Sequence, residues 1–143
     1  MKLTTQQIGK AGELLVQQRL LRRGIESANL TTDSGIDLVA YVQGHAKTIQ
    51  VKTNERPKPA GGTGGPALDW WVPSTCPADY VALVDLSTDQ IWVFTLTQLK
   101  RAAQQKPEGW LHIFMRTEKM KRRPKHKRTY TWDFDRYLIE RVF

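Results

Sequence analysis

Two stretches of alternating apolar and polar residues, 36–42 and 45–53, form the clearest pattern in the chain. In the first stretch every second residue is apolar: Ile36, Leu38, Ala40 and Val42. In the second, apolar Ile49 and Val51 alternate with polar neighbours. A period of two predicts a pair of β-strands, and Gln43-Gly44 between them suits the two-residue turn of a hairpin.

This hairpin places three polar side chains on one face. With a two-residue turn, Asp37 lies directly opposite Gln50, with Cβ atoms roughly 5 Å apart, and Lys52 follows on the same face. A four-residue turn would place Asp37 opposite Lys52 and keep the same face. The pattern therefore predicts a cluster of carboxylate, carboxamide and ammonium groups. The alternative is a solvated face with an Asp–Lys pair, because surface pairs are common.

A helix is predicted to begin after Thr4 and to end near Gly24. Thr4 and Gln7 can form a capping box, and Gly24 is a natural C-terminal stop. One stripe of this helix is predicted to be buried, comprising Ile8, Ala11, Gly12, Leu15 and Val16. Glu13 falls at the border of that stripe. It is either a functional carboxylate or a boundary residue with a packed stem and a hydrated head.

The remaining elements are predicted from hydrophobic patterns and turn residues. They are strands at 25–30, 78–86, 90–94, 110–116 and 130–132, and helices from Thr95 or Thr97 to 105 and from 134 to 143. Asp33 lies in the turn after the first strand, where an acid bonding its own backbone is expected rather than a ligand. Gly35 allows a close approach of the backbone to another group.

Residues 54–66 form a Gly/Pro-rich segment that carries Arg56 and Lys58. Because long unstructured loops are uncommon inside compact domains, this segment is either a flap that closes over nucleic acid or a plain mobile loop. Trp70 and Trp71 follow it. The two indoles could stack on bases or seal a core or dimer, and packing is the favoured interpretation.

The charge of the protein is concentrated in one segment. The 143 residues carry a net charge of +8, and residues 116–128 hold eight Lys or Arg against the single acid Glu118. Such a run is expected to bind phosphates, although a solvated loop is the alternative. The cations predicted to contact nucleic acid are Lys119, Lys121, Arg122, Arg123, Lys125, Lys127 and Arg128, together with Arg56 and Lys58.

The amino-acid composition indicates the class of protein to which the chain belongs. The chain is 40% hydrophobic and 25% charged, which is typical of one globular domain spanning 1–143. Cys76 is the only cysteine, so no internal disulfide is expected. No signal peptide or membrane-length apolar run is evident, which predicts a cytoplasmic protein without a membrane partner.

The spacing Asp37-x12-Gln50-x-Lys52 resembles the signature of the PD-(D/E)xK nucleases, and Gly9 to Glu13 looks like their first helix. Ile-Gln-Val-Lys-Thr at 49–53 is most similar to small prokaryotic endonuclease-like members. The resemblance implies an α/β fold with a restriction-endonuclease-like αβββαβ core, whose mixed central sheet is flanked by helices and here extended by C-terminal strands. It also implies a DNA endonuclease, with RNA not excluded, in which Asp37, Gln50 and Glu13 bind Mg²⁺ or Mn²⁺ and Lys52 orients or activates water.

Three features depart from that family pattern. Ile36 replaces the proline of the motif, Gln50 replaces its second acid, and the crossover helix after the third strand is missing or very short. Because Gln50 removes one negative charge from the metal site, a catalytically inactive binding module is an alternative. An accessory subunit, in which the tryptophans serve a partner, is another. The protein itself could also form a homodimer.

Overall fold

The computed structural model describes residues 1–32, 34–62, 64–118 and 129–143. Three α-helices and eight strands follow in the order α1 (Thr5–Arg22), β1 (Ser27–Asn29), β2 (Leu38–Val42), β3 (His45–Asn54), β4 (Lys58–Pro59), β5 (Pro66–Pro73), β6 (Tyr80–Asp85), β7 (Gln90–Phe94), α2 (Leu96–Ala102), β8 (Trp110–Arg116) and α3 (Ile139–Val142). Two 3₁₀ helices cover Ala60–Gly62 and Thr131–Tyr137. None of the described helices has the apolar length that a bilayer crossing requires.

Five strands form the main sheet in the order β1-β2-β3-β6-β7. β3 and β6 run parallel, whereas the other neighbours are antiparallel, so the sheet is mixed. β4, β5 and β8 form a second, antiparallel sheet. The predicted α/β class with a mixed central sheet is confirmed.

The β2–β3 hairpin has the predicted register. Val42 pairs with His45 and Val39 with Thr48 across a two-residue turn. Gln43 and Gly44 both have positive φ, 49° and 80°. A type I′ turn requires this conformation at both central positions and matches the twist of the flanking strands.

Both faces of the main sheet are covered. On one face, α1 contributes Val16 and Leu20 to a cluster with Leu38, Ile49 and Val51. On the other face, the second sheet and α2 form a larger core that includes Leu68, Trp70, Val81, Leu83, Trp92 and Leu99. A strand covered on both faces must be apolar throughout, and residues 81–84 are accordingly all buried.

The segment after β3 is more ordered than the sequence analysis predicted. The supposed loop 54–66 contains β4 and leads into β5, a strand of eight residues that the sequence analysis missed. The connection from β3 to its parallel neighbour β6 therefore runs through the second sheet, and its described residues contain no α-helix. This agrees with the predicted lack of a crossover helix.

Two predictions near the C-terminus were wrong. Residues 130–132 are not a strand, because Asp133 accepts hydrogen bonds from the amides of Thr129 and Tyr130, both at 3.1 Å, and the chain turns into a 3₁₀ helix. The predicted helix 134–143 is α-helical only at its end, in α3. Of the two predicted N-caps, Thr95 caps α2, and the helix ends at Ala102 and not near residue 105, because the amides of Gln104 and Gln105 pair with the His112 carbonyl.

Gly12 brings α1 close to β3, whereas Gly9 has no such role. A Cβ atom at Gly12 would collide with the side chain of Thr53, but one at Gly9 would meet nothing within 4 Å. Gly12→Ala should therefore lower the free energy of unfolding by about 1–3 kcal/mol through overpacking.

Gly9→Ala is the matched control on the same helix. Removing an unneeded helical glycine should raise the free energy of unfolding by about 0.5–1 kcal/mol. Urea denaturation of both variants measures the difference. Equal effects of the two substitutions would show that the close packing of α1 against β3 is unimportant.

Candidate active site

Asp37 and Gln50 form a direct hydrogen bond at the start of β2. Gln50 Nε2 donates to Asp37 Oδ2 at 2.9 Å, and the amide of Val51 donates to the same oxygen at 2.7 Å. The Asp37 amide in turn donates to the carbonyl of Ile49 at 2.9 Å, which continues the hairpin ladder beyond β2. The predicted pairing of Asp37 with Gln50 is confirmed.

Gln50 is 7% exposed and borders a cleft of about 240 Å³. Among the described residues, its Oε1 atom accepts no hydrogen bond. Gly35 lies against this site with a φ of +82°, and a Cβ there would come within 3.1 Å of the Pro77 ring. Gly35 thus provides the close approach that the sequence analysis expected.

Lys52 lines the same cleft. The other residues of its wall are Gly35, Gln50, Pro73, Thr75, Cys76 and Pro77. Lys52 is half-buried, and within the described part of the chain no hydrogen bond or ion pair engages its ammonium group. The structure therefore brings Gln50 and Lys52 to one cavity, with Asp37 bonded directly to Gln50.

The segment that closes the far side of the cleft is fixed to β3 by side chains. Asp79 accepts from the amide and hydroxyl of Thr48 at 2.9 and 3.1 Å, and the Thr48 hydroxyl accepts from the Asp79 amide at 2.9 Å. The hydrogen bond from the Thr48 amide lowers the pKa of the Asp79 carboxyl from its usual value, against a smaller opposing effect of burial. The sequence offered no signal for this contact.

Asn54 attaches the second sheet to the end of β3. Its side chain donates to the Asp69 carbonyl at 2.8 Å and accepts from the Asp69 amide at 2.9 Å. This reciprocal pair sits two residues beyond Lys52 and fixes β5, whose last residue Pro73 belongs to the cleft. Sequence reasoning missed this role as well, because β5 itself was not predicted.

Glu13 lies on α1 and contacts β1. It is half-buried on α1, and its Oε1 accepts a hydrogen bond from Asn29 Nδ2 at 3.0 Å. Asn29 pairs with Leu38 at the start of β2. Among the described residues, no three His, Cys, Asp or Glu side chains are arranged to hold a metal ion. Glu13 as a ligand stays a prediction.

The remaining predicted residues do not line the cleft or lie outside the described part of the chain. Arg56 is exposed and pairs with Glu55 at 2.9 Å, and Lys58 is exposed on β4. Trp70 is buried, which agrees with the favoured packing role, but Trp71 is exposed. Asp33 and the basic residues Lys119, Lys121, Arg122, Arg123, Lys125, Lys127 and Arg128 lie outside the described residues.

The donors at Asp37 and Gln50 fit a hard divalent cation. Mg²⁺ is commonly bound by one or two protein oxygens together with waters and substrate phosphate. The Asp37 carboxylate and the Gln50 amide oxygen are ligands of that kind. The two side chains touch through Gln50 Nε2, so the amide would have to rotate to turn its oxygen toward an ion beside Asp37. The pair is therefore chemically compatible with Mg²⁺ or Mn²⁺.

The sequence matches no protein-family model and no curated protein sequence. The structure is similar to that of a bacterial homing endonuclease, I-Ssp6803I, with a TM-score of 0.62 and 19% sequence identity. The likeness covers 96% of this chain and 88% of the other. At this identity the comparison shows a shared fold and nothing more. This protein therefore has a fold that also occurs in an endonuclease.

Proposed function

We propose that this protein is a metal-dependent endonuclease that hydrolyses phosphodiester bonds in DNA. The observation that carries this proposal is the Asp37–Gln50 hydrogen bond of 2.9 Å beside a cleft that Lys52 also lines. An amide oxygen and a cation at one cavity, with an acid bonded directly to the amide, suit phosphodiester hydrolysis, which requires charge relief and an oriented water. The shared fold with a homing endonuclease supports the same assignment.

Each residue has a role in this proposal. Asp37 and Gln50, with Glu13 as a further ligand, would hold Mg²⁺ or Mn²⁺, which supplies a Lewis acid for the phosphoryl oxygen when bound. The amide of Val51 fixes the Asp37 carboxylate in position at 2.7 Å. Lys52 lacks a partner among the described residues, so its ammonium is available to orient the attacking water or to stabilise negative charge in the transition state.

A binding module that does not cut is the second candidate. In support of it, the Gln50 amide donates a hydrogen bond to the Asp37 carboxylate, which thus has a partner without any ion. A carboxylate in place of Gln50 would bind a cation more strongly. Such a module would still bind DNA through its cations.

Cleavage assays separate the two candidates. Supercoiled plasmid, branched DNA and single-stranded DNA are incubated with Mg²⁺, with Mn²⁺ and with EDTA, and an RNA strand of matching sequence tests the choice of nucleic acid. Cleavage that requires metal supports the nuclease. Binding without cleavage in every condition would select the module, and the absence of both activities would favour an accessory subunit.

The basic segment should supply most of the salt dependence of DNA binding. Neutralising Lys121, Arg122, Arg123 and Lys125 should flatten the plot of log K against log salt by about 0.9 per lost phosphate contact. The loss of affinity should be similar for all DNA sequences, because phosphate contacts carry little sequence information.

A charge-matched control removes four exposed cations from elsewhere in the chain. These are Lys2, Lys10, Lys100 and Arg101. If DNA contacts mainly the basic segment, this control should leave the slope of log K against log salt almost unchanged. The same slope in wild type and in the variant of the basic segment would show that this segment is only a solvated loop.

A further inference from the structure

The second sheet has one buried and one outward face. Leu68, Trp70 and Val72 of β5 pair with inward residues of β8 and are buried in the core. The alternate residues lie on the outer face, where the cross-strand neighbours are Ala67 with Arg116, Asp69 with Phe114, Trp71 with His112, and Pro73 with Trp110. Ala67 is buried, whereas Asp69, Trp71 and Trp110 are exposed. The outer face therefore presents a row of aromatic side chains.

Trp71 is the central residue of this row. It is 43% exposed, whereas its neighbour Trp70 is 2% exposed. Its indole stacks on the His112 ring with a centroid distance of 4.1 Å and an interplanar angle of 9°. His112 is itself held by Asp69 Oδ2 and Gln105 Oε1, each at 3.1 Å from a ring nitrogen. The indole is therefore fixed in orientation while much of it faces solvent.

The two ends of the row differ in chemistry. At one end, Pro73 pairs with Trp110 and also belongs to the wall of the cleft that contains Lys52. At the other end, Lys58 and Arg116 are both exposed and both are cross-strand neighbours of Ala67. Arg116 also lies 4.0 Å from the exposed carboxylate of Glu118, an ion pair that a phosphate would replace. Along β5, six residues, or about 20 Å, thus separate Pro73 at the cleft from the cations beside Ala67. The sequence continues from Arg116 into its most basic segment.

We propose that this outer face binds unpaired nucleotides of a DNA substrate, with Trp71 stacking on a base and Lys58 and Arg116 contacting phosphates. The proposal rests on the proposed nuclease function for the presence of DNA in the cleft. Aromatic rings followed by cations are the arrangement that binds single strands, because every base has an apolar face and every linkage a negative charge. Bases within a duplex already stack on one another, so Trp71 selects DNA with a single-stranded stretch beside the cleavage site.

Binding without metal tests this proposal independently of catalysis. The full chain is titrated in EDTA with a fluorescently labelled single strand and with the duplex of the same sequence. Trp71→Leu should weaken single-strand binding roughly 5- to 100-fold, the range expected for loss of one stacked base. Duplex binding should change less than about twofold, and Trp71→Phe should retain most of the single-strand affinity.

The control is Tyr41→Leu, which removes an exposed aromatic side chain from β2 in the main sheet and should leave both affinities unchanged. Thermal melts show whether Trp71→Leu remains folded. If it melts normally and binds single strands like the wild type, Trp71 serves only to pair with His112 and the proposal fails. Equal weakening for single strand and duplex overturns it too.

The outcomes also separate this proposal from the nuclease assignment. A wild-type protein that cleaves with metal but binds only duplex refutes the stacking surface and leaves the nuclease. Trp71-dependent single-strand binding without cleavage refutes the nuclease and leaves the surface.

Discussion

Replacing Lys52 with alanine should lower kcat by at least about 100-fold while the Kd for DNA changes less than about threefold. A cation that orients the attacking water, or that stabilises charge developing in the transition state, acts mainly on the rate and little on ground-state affinity. Proton transfer and electrostatic stabilisation by a single positioned group typically contribute a factor of 10² or more. Single-turnover cleavage, with binding measured in Ca²⁺ or EDTA, separates the two quantities.

Lys100→Ala is the control, since Lys100 is an exposed lysine on α2 and does not line the cleft. Its cleavage rate should remain within about twofold of the wild type. Equal losses of rate and affinity in Lys52→Ala would instead make Lys52 a phosphate anchor. An unchanged rate in Lys52→Ala would remove this residue from the catalytic mechanism.

The hairpin that holds Lys52 was predictable because its determinants are local. Alternation of apolar residues sets the faces of both strands, and Gln43-Gly44 sets the turn, so the opposition of Asp37 and Gln50 follows from residues close in sequence. The capping box at Thr4 was predictable for the same reason, whereas the sequence left the cap of α2 open between Thr95, which forms a second box, and Thr97. Each depends on two side chains three residues apart.

The second sheet could not be predicted in this way. β5 follows a Gly/Pro-rich segment and pairs with β8, about forty residues later in the chain. Its alternation was obscured by the adjacent tryptophans, which look alike in sequence but lie on opposite faces of a strand. The attachment of Asn54 to Asp69 is similarly non-local, and only the folded chain brings these residues together.

The site was predictable as a face of the hairpin but not as a cavity. The far wall of the cleft comes from Pro73 to Pro77, which the contacts of Asp79 and Asn54 hold in place. These contacts join side chains to distant backbone groups and leave no periodic signal. The same wall buries Gln50, which is why a substitution at this position should change both stability and metal binding.

Gln50→Glu should lower the metal concentration needed for half-maximal cleavage and should destabilise the metal-free protein. If Gln50 ligates the ion through its amide oxygen, the substitution keeps an oxygen nearby and adds a negative charge. Without metal, the hydrogen bond of 2.9 Å to Asp37 is replaced by two carboxylates in contact. Loss of a hydrogen bond to a charged group alone costs roughly 1.5–3 kcal/mol.

The dependence of this destabilisation on pH provides an internal check. Burial and the neighbouring Asp37 raise the pKa of the introduced carboxyl above its value in the unfolded chain. The folded variant then binds its proton more tightly, so its stability falls as pH rises above the unfolded value of about 4.3. The melting-temperature difference from wild type should be larger at pH 7 than at pH 5, and saturating Mg²⁺ should reduce it by mass action.

Gln50→Leu tests the same residue by removing its side-chain oxygen and nitrogen. Leucine has neither the oxygen for the ion nor the amide for Asp37, so both the metal response of the melting temperature and the cleavage activity should be lost. Thermal melts with and without Mg²⁺, and cleavage rates against metal concentration, are compared for wild type and both variants. If Gln50→Glu leaves the metal requirement unchanged while Gln50→Leu still cuts, Gln50 is not a ligand. The pairing of Asp37 with Gln50 would then be a structural contact of the hairpin, and the nuclease proposal would lose its principal support.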